Sequence, residues 1–400
     1  MRAVSDPQKH FLEMASMPLN TDFPVEEFEL RRSALLAAMD EKGLSSLLVI
    51  HPSSIHWLTG CQTKGYQAFQ CVIVERRPAQ FTLLIRQSEE CEALDSAFCD
   101  DIVCWGSEGK EDPLERLIET IRAMSLTGTG QGAMEVPAYY LHPHHYVRLK
   151  SELAYVDAPR LVHDLRLVKS AREIVYIREA ARIADLCLVE AGHHLKAGAS
   201  EREAAAALYA TALYNGADVP TVPINLVSGP RAAYSHGSPS SRFLSTGDTG
   251  NVEFCIPYRR YTVSLGRQFS VGTAGAEVLA LHAVVVEAAA ACIARIGHGA
   301  PARDAFMAAQ SVMSAAGYAG DRVHTMGYVL APAFAPATGE QFQLSAASKD
   351  VFKAGMNLSI CPNIFIGKHR IGVRIVDNVL VTETGSERLS KLASNRFLSG

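Results

Sequence analysis

Two hydrophobic rhythms run along this chain. In residues 251–272, Val252, Phe254 and Ile256 fall on one face while Glu253 and Cys255 fall on the other. That period of two predicts a strand with one face on a core. After a tight connection comes a second such run, in which Arg260, Thr262, Ser264 and Gly266 share a face. The stretch reads as a β-hairpin, apolar on one side and chemically equipped on the other. Nearer the start, Ser46-Leu47-Leu48-Val49-Ile50 and Phe81-Thr82-Leu83-Leu84-Ile85 predict strands, alternating with helical patterns at 27–42 and 113–124. That succession predicts an α/β domain.

The character of the chain changes near residues 160–170. Ser170 and Glu173 form a capping box that opens a long helix to about residue 194. The domains are therefore set at 1–164 and 165–400. The second carries a repeat: Gly198-Ala199-Ser200-Glu201-Arg202-Glu203-Ala204 returns as Gly299-Ala300-Pro301-Ala302-Arg303-Asp304-Ala305, 101 residues later. Gly216 and Gly317, at the same offset, each end a helix. Two halves of this kind put a cleft where they meet.

Composition narrows the function classes. No apolar run approaches a membrane span, and residues 1–21 hold no signal core, so no membrane partner and a cytoplasmic location are expected. Lys+Arg 38 against Asp+Glu 42, with no basic block, gives no support to nucleic-acid binding. Nine scattered cysteines without a Cys-x-x-Cys pair fit a reducing compartment. His142-Pro143-His144-His145 reads as a polar helix start rather than a metal tract. Neither a Gly-x-Ser-x-Gly elbow, a phosphate-binding Gly-rich loop nor a His-Glu-x-x-His helix occurs.

The hairpin is followed by His324-Thr325-Met326-Gly327, by Gly355-Met356-Asn357-Leu358-Ser359-Ile360-Cys361-Pro362 and by Arg374-Ile375-Val376-Asp377. In this order they resemble the motifs of the creatinase/aminopeptidase P superfamily, the pita-bread, peptidase M24-like proteins. The resemblance implies an α+β chain, with an α/β creatinase-like N-terminal domain before a pita-bread catalytic domain. In that superfamily a carboxylate on each hairpin strand, a histidine and two later glutamates bind a metal pair. The corresponding positions here read Glu253, Ser264, His324, Cys361 and Val376. Valine offers no donor and neutral serine little, so no metal and no other cofactor are expected. One zinc on Glu253, His324 and Cys361 is the chemical alternative.

The resemblance also assigns roles. Glu253 stands at the reactive centre, as nucleophile or general base. His236, in Tyr234-Ser235-His236-Gly237-Ser238-Pro239, is expected to shuttle protons, a task suited to a group that titrates near neutrality. His324 is expected to polarise substrate or orient Glu253. Arg260 and Arg374 are candidates to clamp a substrate carboxylate. Cys361 reads as a buried thiol beside the substrate. In creatinase-like homodimers a first-domain loop closes the partner's site, and Trp57-Leu58-Thr59-Gly60 resembles its start. Arg260-Tyr261 and the turn from His324 to Tyr328 resemble ectoine hydrolase, although many such relatives hold histidine where this chain has Thr262. The implied activity is metal-independent hydrolysis of a C–N bond in a small nitrogenous compound, a cyclic amidine such as ectoine first. A catalytically inactive binding domain and a metal-dependent Xaa-Pro peptidase are the alternatives.

Overall fold

Apolar runs without alternation mark a sheet covered on both faces, and the first unit is built on one. The computed structural model describes residues 22–107, 111–126 and 130–398, in two units divided after Leu165. The stretch 1–21, read above for a signal core, lies outside the described residues. The first unit contains α1 (Val25–Glu41), β1 (Leu44–Val49), α2 (Pro52–Thr59), β2 (Cys71–Glu75), β3 (Gln80–Arg86), α3 (Glu90–Ser96), β4 (Asp101–Trp105), α4 (Pro113–Ala123), β5 (Gln131–Met134), α5 (Pro143–Leu153) and β6 (Val156–Asp157). A short helix, α6 (Leu161–Arg166), runs up to the division.

The strand order is β4-β3-β2-β1-β5-β6. The register sets Leu47 opposite Val74 and Leu48 opposite Ile73, which sorts alternate residues onto two cores. Leu47, Val49 and Val74 pack with Leu35 and Met39 of α1; Leu48, Ile73 and Leu84 pack with Leu114, Leu117 and Ile121 of α4. Trp57 belongs to the first of these cores and is 5% exposed. Arg31 lies 5.4 Å from its ring centroid and donates from Nη1 to its carbonyl oxygen at 2.9 Å. The expectation that Trp57 covers a substrate is corrected: the ring is interior packing of its own unit. His142 caps α5, its Nδ1 accepting from the His144 N–H at 3.2 Å, so the histidine run is the helix start read from the sequence.

In the second unit, α7 (Ala171–His194) and α8 (Glu201–Tyr214) each begin with a complete capping box, Ser170 with Glu173 and Ser200 with Glu203. The second helix pair is α9 (Ala276–Ile293) and α10 (Ala302–Ala315). The repeat is written into the backbone. Gly198 and Gly299 have φ of 86° and 82°, and Gly216 and Gly317 have 85° and 86°, conformations that carry no side-chain penalty only for glycine. Helix α9 is 18 residues long and apolar enough to cross a membrane by length and composition, which corrects the expectation that no apolar run approaches that length. Its Val278, Leu281, Val285 and Ala288 lie in a core with Phe306 of α10.

The helices flank an eight-stranded sheet of order β16-β15-β12-β10-β9-β8-β7, with β11 paired to β10. Its strands are β7 (Asn225–Ser228), β8 (Thr249–Tyr258), β9 (Tyr261–Ser270), β10 (Gly327–Phe334), β11 (Ala337–Gln343), β12 (Asn357–Ile360), β15 (Asp377–Thr382) and β16 (Gly385–Arg388). A separate hairpin joins β13 (Asn363–Ile366) to β14 (Ile371–Arg374). The predicted hairpin is β8–β9, paired along its whole length, with Glu253 opposite Gly266 and Cys255 opposite Ser264. Its turn is only Arg259-Arg260, with φ of 48° and 68°, both positive as a tight two-residue hairpin turn requires.

Candidate active site

Strand alternation presents Glu253 and Cys255 to the same side of β8. They line a cavity of about 80 Å³, together with Asn225 of β7, His236, His324, Tyr328 of β10, Cys361, Asn363 and Arg374. Six of the residues singled out in the sequence thus converge: Glu253, His236, His324, Tyr328, Cys361 and Arg374. Arg260 does not join them. It stands in the hairpin turn, where strand parity no longer applies; its N–H donates to Asp218 Oδ2 at 2.7 Å and its guanidinium lies 4.7 Å from the Phe334 ring centroid. Thr262 is 1% exposed, opposite Pro257, and does not line the cavity. Both substrate-binding expectations are corrected on these grounds.

The charge at the centre is a pair. Arg374 Nη1 donates to Glu253 Oε2, with side-chain exposures of 2% and 15%. Asn225 Nδ2 donates to the same oxygen at 2.8 Å. The other Arg374 nitrogen, Nη2, donates to Ser235 Oγ at 2.9 Å, which ties the pair to the loop bearing His236. The guanidinium also lies 5.2 Å from the Phe365 ring centroid. Sequence reading missed Asn225. The signal was available in the run Ile224-Asn225-Leu226-Val227, whose register sets Asn225 opposite Glu253.

The two histidine rings meet edge to face, centroids 5.6 Å apart. Burial, and next the Arg374 guanidinium, hold the His324 imidazole below its usual range, so it is neutral near pH 7. Cys361 Sγ lies 3.8 Å from His324 Nδ1 and donates to the Thr325 carbonyl at 3.3 Å. Burial, and next the charge of Glu253, push this thiol far up; Cys255 is likewise pushed up to about 12. Both are thiols, not thiolates, at neutral pH. Burial raises the Tyr328 hydroxyl well above its usual range, leaving a phenol donor.

This donor set does not fit the metal pair that the superfamily resemblance implies. Among the described residues, Glu253 is the one carboxylate lining the cavity, and it is committed to Arg374. Ser264 is a neutral hydroxyl, 1% exposed. Val376 is fully buried against Gly266, with which it exchanges backbone hydrogen bonds. A Cβ on that glycine would lie 2.9 Å from Val376 Cγ2. Two hard cations need several anionic or imidazole donors, and here a guanidinium stands beside that one carboxylate. The single-zinc alternative is corrected too: among the described residues no three His, Cys, Asp or Glu side chains are grouped to hold an ion.

Residues 175–383 match metallopeptidase family M24, and residues 31–168 match the creatinase/prolidase N-terminal domain. A Xaa-Pro dipeptidase of Pyrococcus furiosus is 25% identical over 361 residues, 90% of this chain and 97% of that protein. Among solved structures, a prolidase from Pyrococcus horikoshii superposes with a TM-score of 0.79 at 23% identity, covering 91% of this chain and 99% of that one. The dipeptidase PepE of Mycobacterium ulcerans gives 0.82 at 23% identity, with 94% and 98% covered. None of these relatives is an ectoine hydrolase, so the finer resemblance drawn from Arg260-Tyr261 and Tyr328 finds no support among them.

Proposed function

The chain belongs to metallopeptidase family M24 and has a creatinase/prolidase N-terminal domain; from that footing we propose that it hydrolyses a C–N bond in a small molecule bound in the Glu253 cavity. The observation that carries this reading is the convergence of Glu253, His236, His324 and Arg374 on one cavity. An inactive binding domain gives no reason for a carboxylate, two imidazoles and a guanidinium to meet there.

The roles follow from the chemistry of the groups. Glu253 takes a proton from water as the water oxygen bonds to the substrate carbon. The C–N bond breaks as the leaving nitrogen receives a proton from protonated His236, which regains it from the Glu253 carboxyl, so that both groups return to their starting state. Neutral His324 orients the reacting groups through ring contacts with His236 and Tyr328, the latter at 6.3 Å. Arg374, with Nη1 held by Glu253 and Nη2 by Ser235, places positive charge at the cavity wall, and a substrate carboxylate would bind it by displacing one of these partners. Cys361, held as a neutral thiol, lines the site without attacking.

Two substrate classes have separate support. Xaa-Pro dipeptides have the broader one, since the likeness to a Xaa-Pro dipeptidase extends over 361 residues. The donor set favours a C–N bond cleaved without a metal pair, as in a cyclic amidine such as ectoine. Proton NMR of Ala-Pro and of ectoine, each with EDTA-treated protein and with added Mn²⁺, separates them. Ala-Pro cleavage only with Mn²⁺ would establish the metal-dependent peptidase and defeat the donor-set argument. Metal-free ring opening would establish the amidine class. No turnover in all four mixtures would overturn the hydrolase reading, and full turnover by Glu253→Gln would remove Glu253 from its role. A homodimer belongs to the same reading and is checked by light scattering.

A further inference from the structure

A second carboxylate in this unit is more deeply buried than Glu253 and does not line the cavity. Glu201, the first residue of α8, is fully buried. Its Oε1 accepts from Ser228 Oγ at 2.7 Å. Its Oε2 accepts from the Ser240 N–H at 2.8 Å, from Ser240 Oγ at 2.6 Å and from Arg231 Nη1. A carboxylate has about four acceptor positions, and four donors are aimed at this one. A glutamate in a first helical turn is favourable to the helix dipole alone, but that does not draw four donors from a single loop.

The donors bracket the segment that carries His236. Ser228 ends β7, Arg231 follows it, and Ser240 lies on the far side. Arg231 reaches across with Nη2 to the Ser238 carbonyl at 2.7 Å. The Gly237 carbonyl accepts from the Leu226 N–H at 3.0 Å, and a Cβ on Gly237 would lie 2.2 Å from Val227 Cγ1. Between these ties stand Ser235, which holds Arg374, and His236, which meets His324.

We propose that Glu201 is a positioning residue: by closing both ends of this loop it fixes the His236 ring and the Ser235 contact that steadies the Arg374–Glu253 pair. The catalytic part of this statement rests on the function proposed above. Glu201→Gln keeps the shape but brings an NH₂ into a position where every neighbour already donates, and it leaves Arg231 without its counter-charge.

The test uses the full chain with labelled histidine, the His236 resonance assigned through His236→Gln. In Glu201→Gln the His236 signals are expected to move. On whichever substrate the wild type turns over, kcat is expected to fall about 10²-fold, the scale of an ångström-sized misplacement, with KM changed far less. Glu201→Asp, which keeps the charge and all four acceptor positions, should recover part of both. Ser240→Ala removes one of the four donors, together with the acceptor of the Arg242 N–H at 3.2 Å, and should give a smaller shift of the His236 signals. Unmoved His236 signals in a folded Glu201→Gln protein would overturn the proposal, whatever the turnover. Moved signals without turnover in the wild type would instead count against the function and leave the positioning role in place.

Discussion

The ion pair between Arg374 and Glu253 makes a quantitative prediction. Arg374→Met leaves the Glu253 carboxylate with Asn225 as its remaining donor. Breaking a buried pair by removing one partner costs about 3–5 kcal/mol. The 15% exposure of the Glu253 side chain brings the expectation to the lower end, about 3 kcal/mol. Glu253→Gln strands a guanidinium that is 2% exposed but keeps its bond to Ser235, which again gives about 3 kcal/mol. The double variant removes both charges and should cost far less than the two singles added, with a coupling of about 2 kcal/mol or more. Urea unfolding followed by far-ultraviolet circular dichroism is the assay. Both tryptophans, Trp57 and Trp105, lie in the first unit, so their fluorescence records that unit while the dichroism includes the second. Costs of the single variants that add to within about 0.5 kcal/mol would refute the picture of a mutually dependent pair.

Three further outcomes are expected. The His324 imidazole sits below its usual value of 6.5 through burial and the Arg374 charge, so the unfolded chain takes up its proton first as pH falls. The associated stability is present above about pH 6.5 and is lost as pH drops toward the lower folded value; His324→Gln should flatten the change in urea midpoint between pH 7.5 and 5.5, and an unaltered slope would refute it. Iodoacetamide at pH 8 should label exposed Cys91 and spare Cys361, whose thiol is buried and pushed up; peptide mapping that finds Cys361 modified in the native protein would contradict this. Gly266→Ala puts a Cβ 2.9 Å from Val376 Cγ2 and should cost about 1–3 kcal/mol through overpacking, relieved only in part by Val376→Ala, since Val376 Cβ at 3.1 Å and the Val252 carbonyl at 3.2 Å remain; a Gly266→Ala protein as stable as wild type would show that the contact yields freely.

The hairpin was legible because its alternation spans many residues, and the capping boxes because their chemistry is local. Glu253 could be placed from register alone, since a slip of one residue would have turned it into the core. Arg260 was misjudged for the converse reason: parity holds only within a strand, and the two-residue turn makes the second strand begin at Tyr261, one position later than expected. Trp57 and Glu201 lay beyond sequence reasoning for a shared reason. What each touches comes from chain segments remote in sequence, Arg31 for one and Ser228 to Ser240 for the other. Helix α9 was underrated because Glu277, His282 and Glu287 interrupt its apolar residues, so that no unbroken run stands out in the sequence.

Val376, packed on the glycine that faces Glu253, also bears on any attempt to build a metal centre into this cavity. A glutamate introduced at that position alone would bury a charge with no cation to meet it and would crowd Gly266. A carboxylate introduced at Cys361 alone would add a second negative charge beside Glu253, with Arg374 already engaged. An acidic site can therefore be designed here only by changing several of these positions together, with the arginine among them.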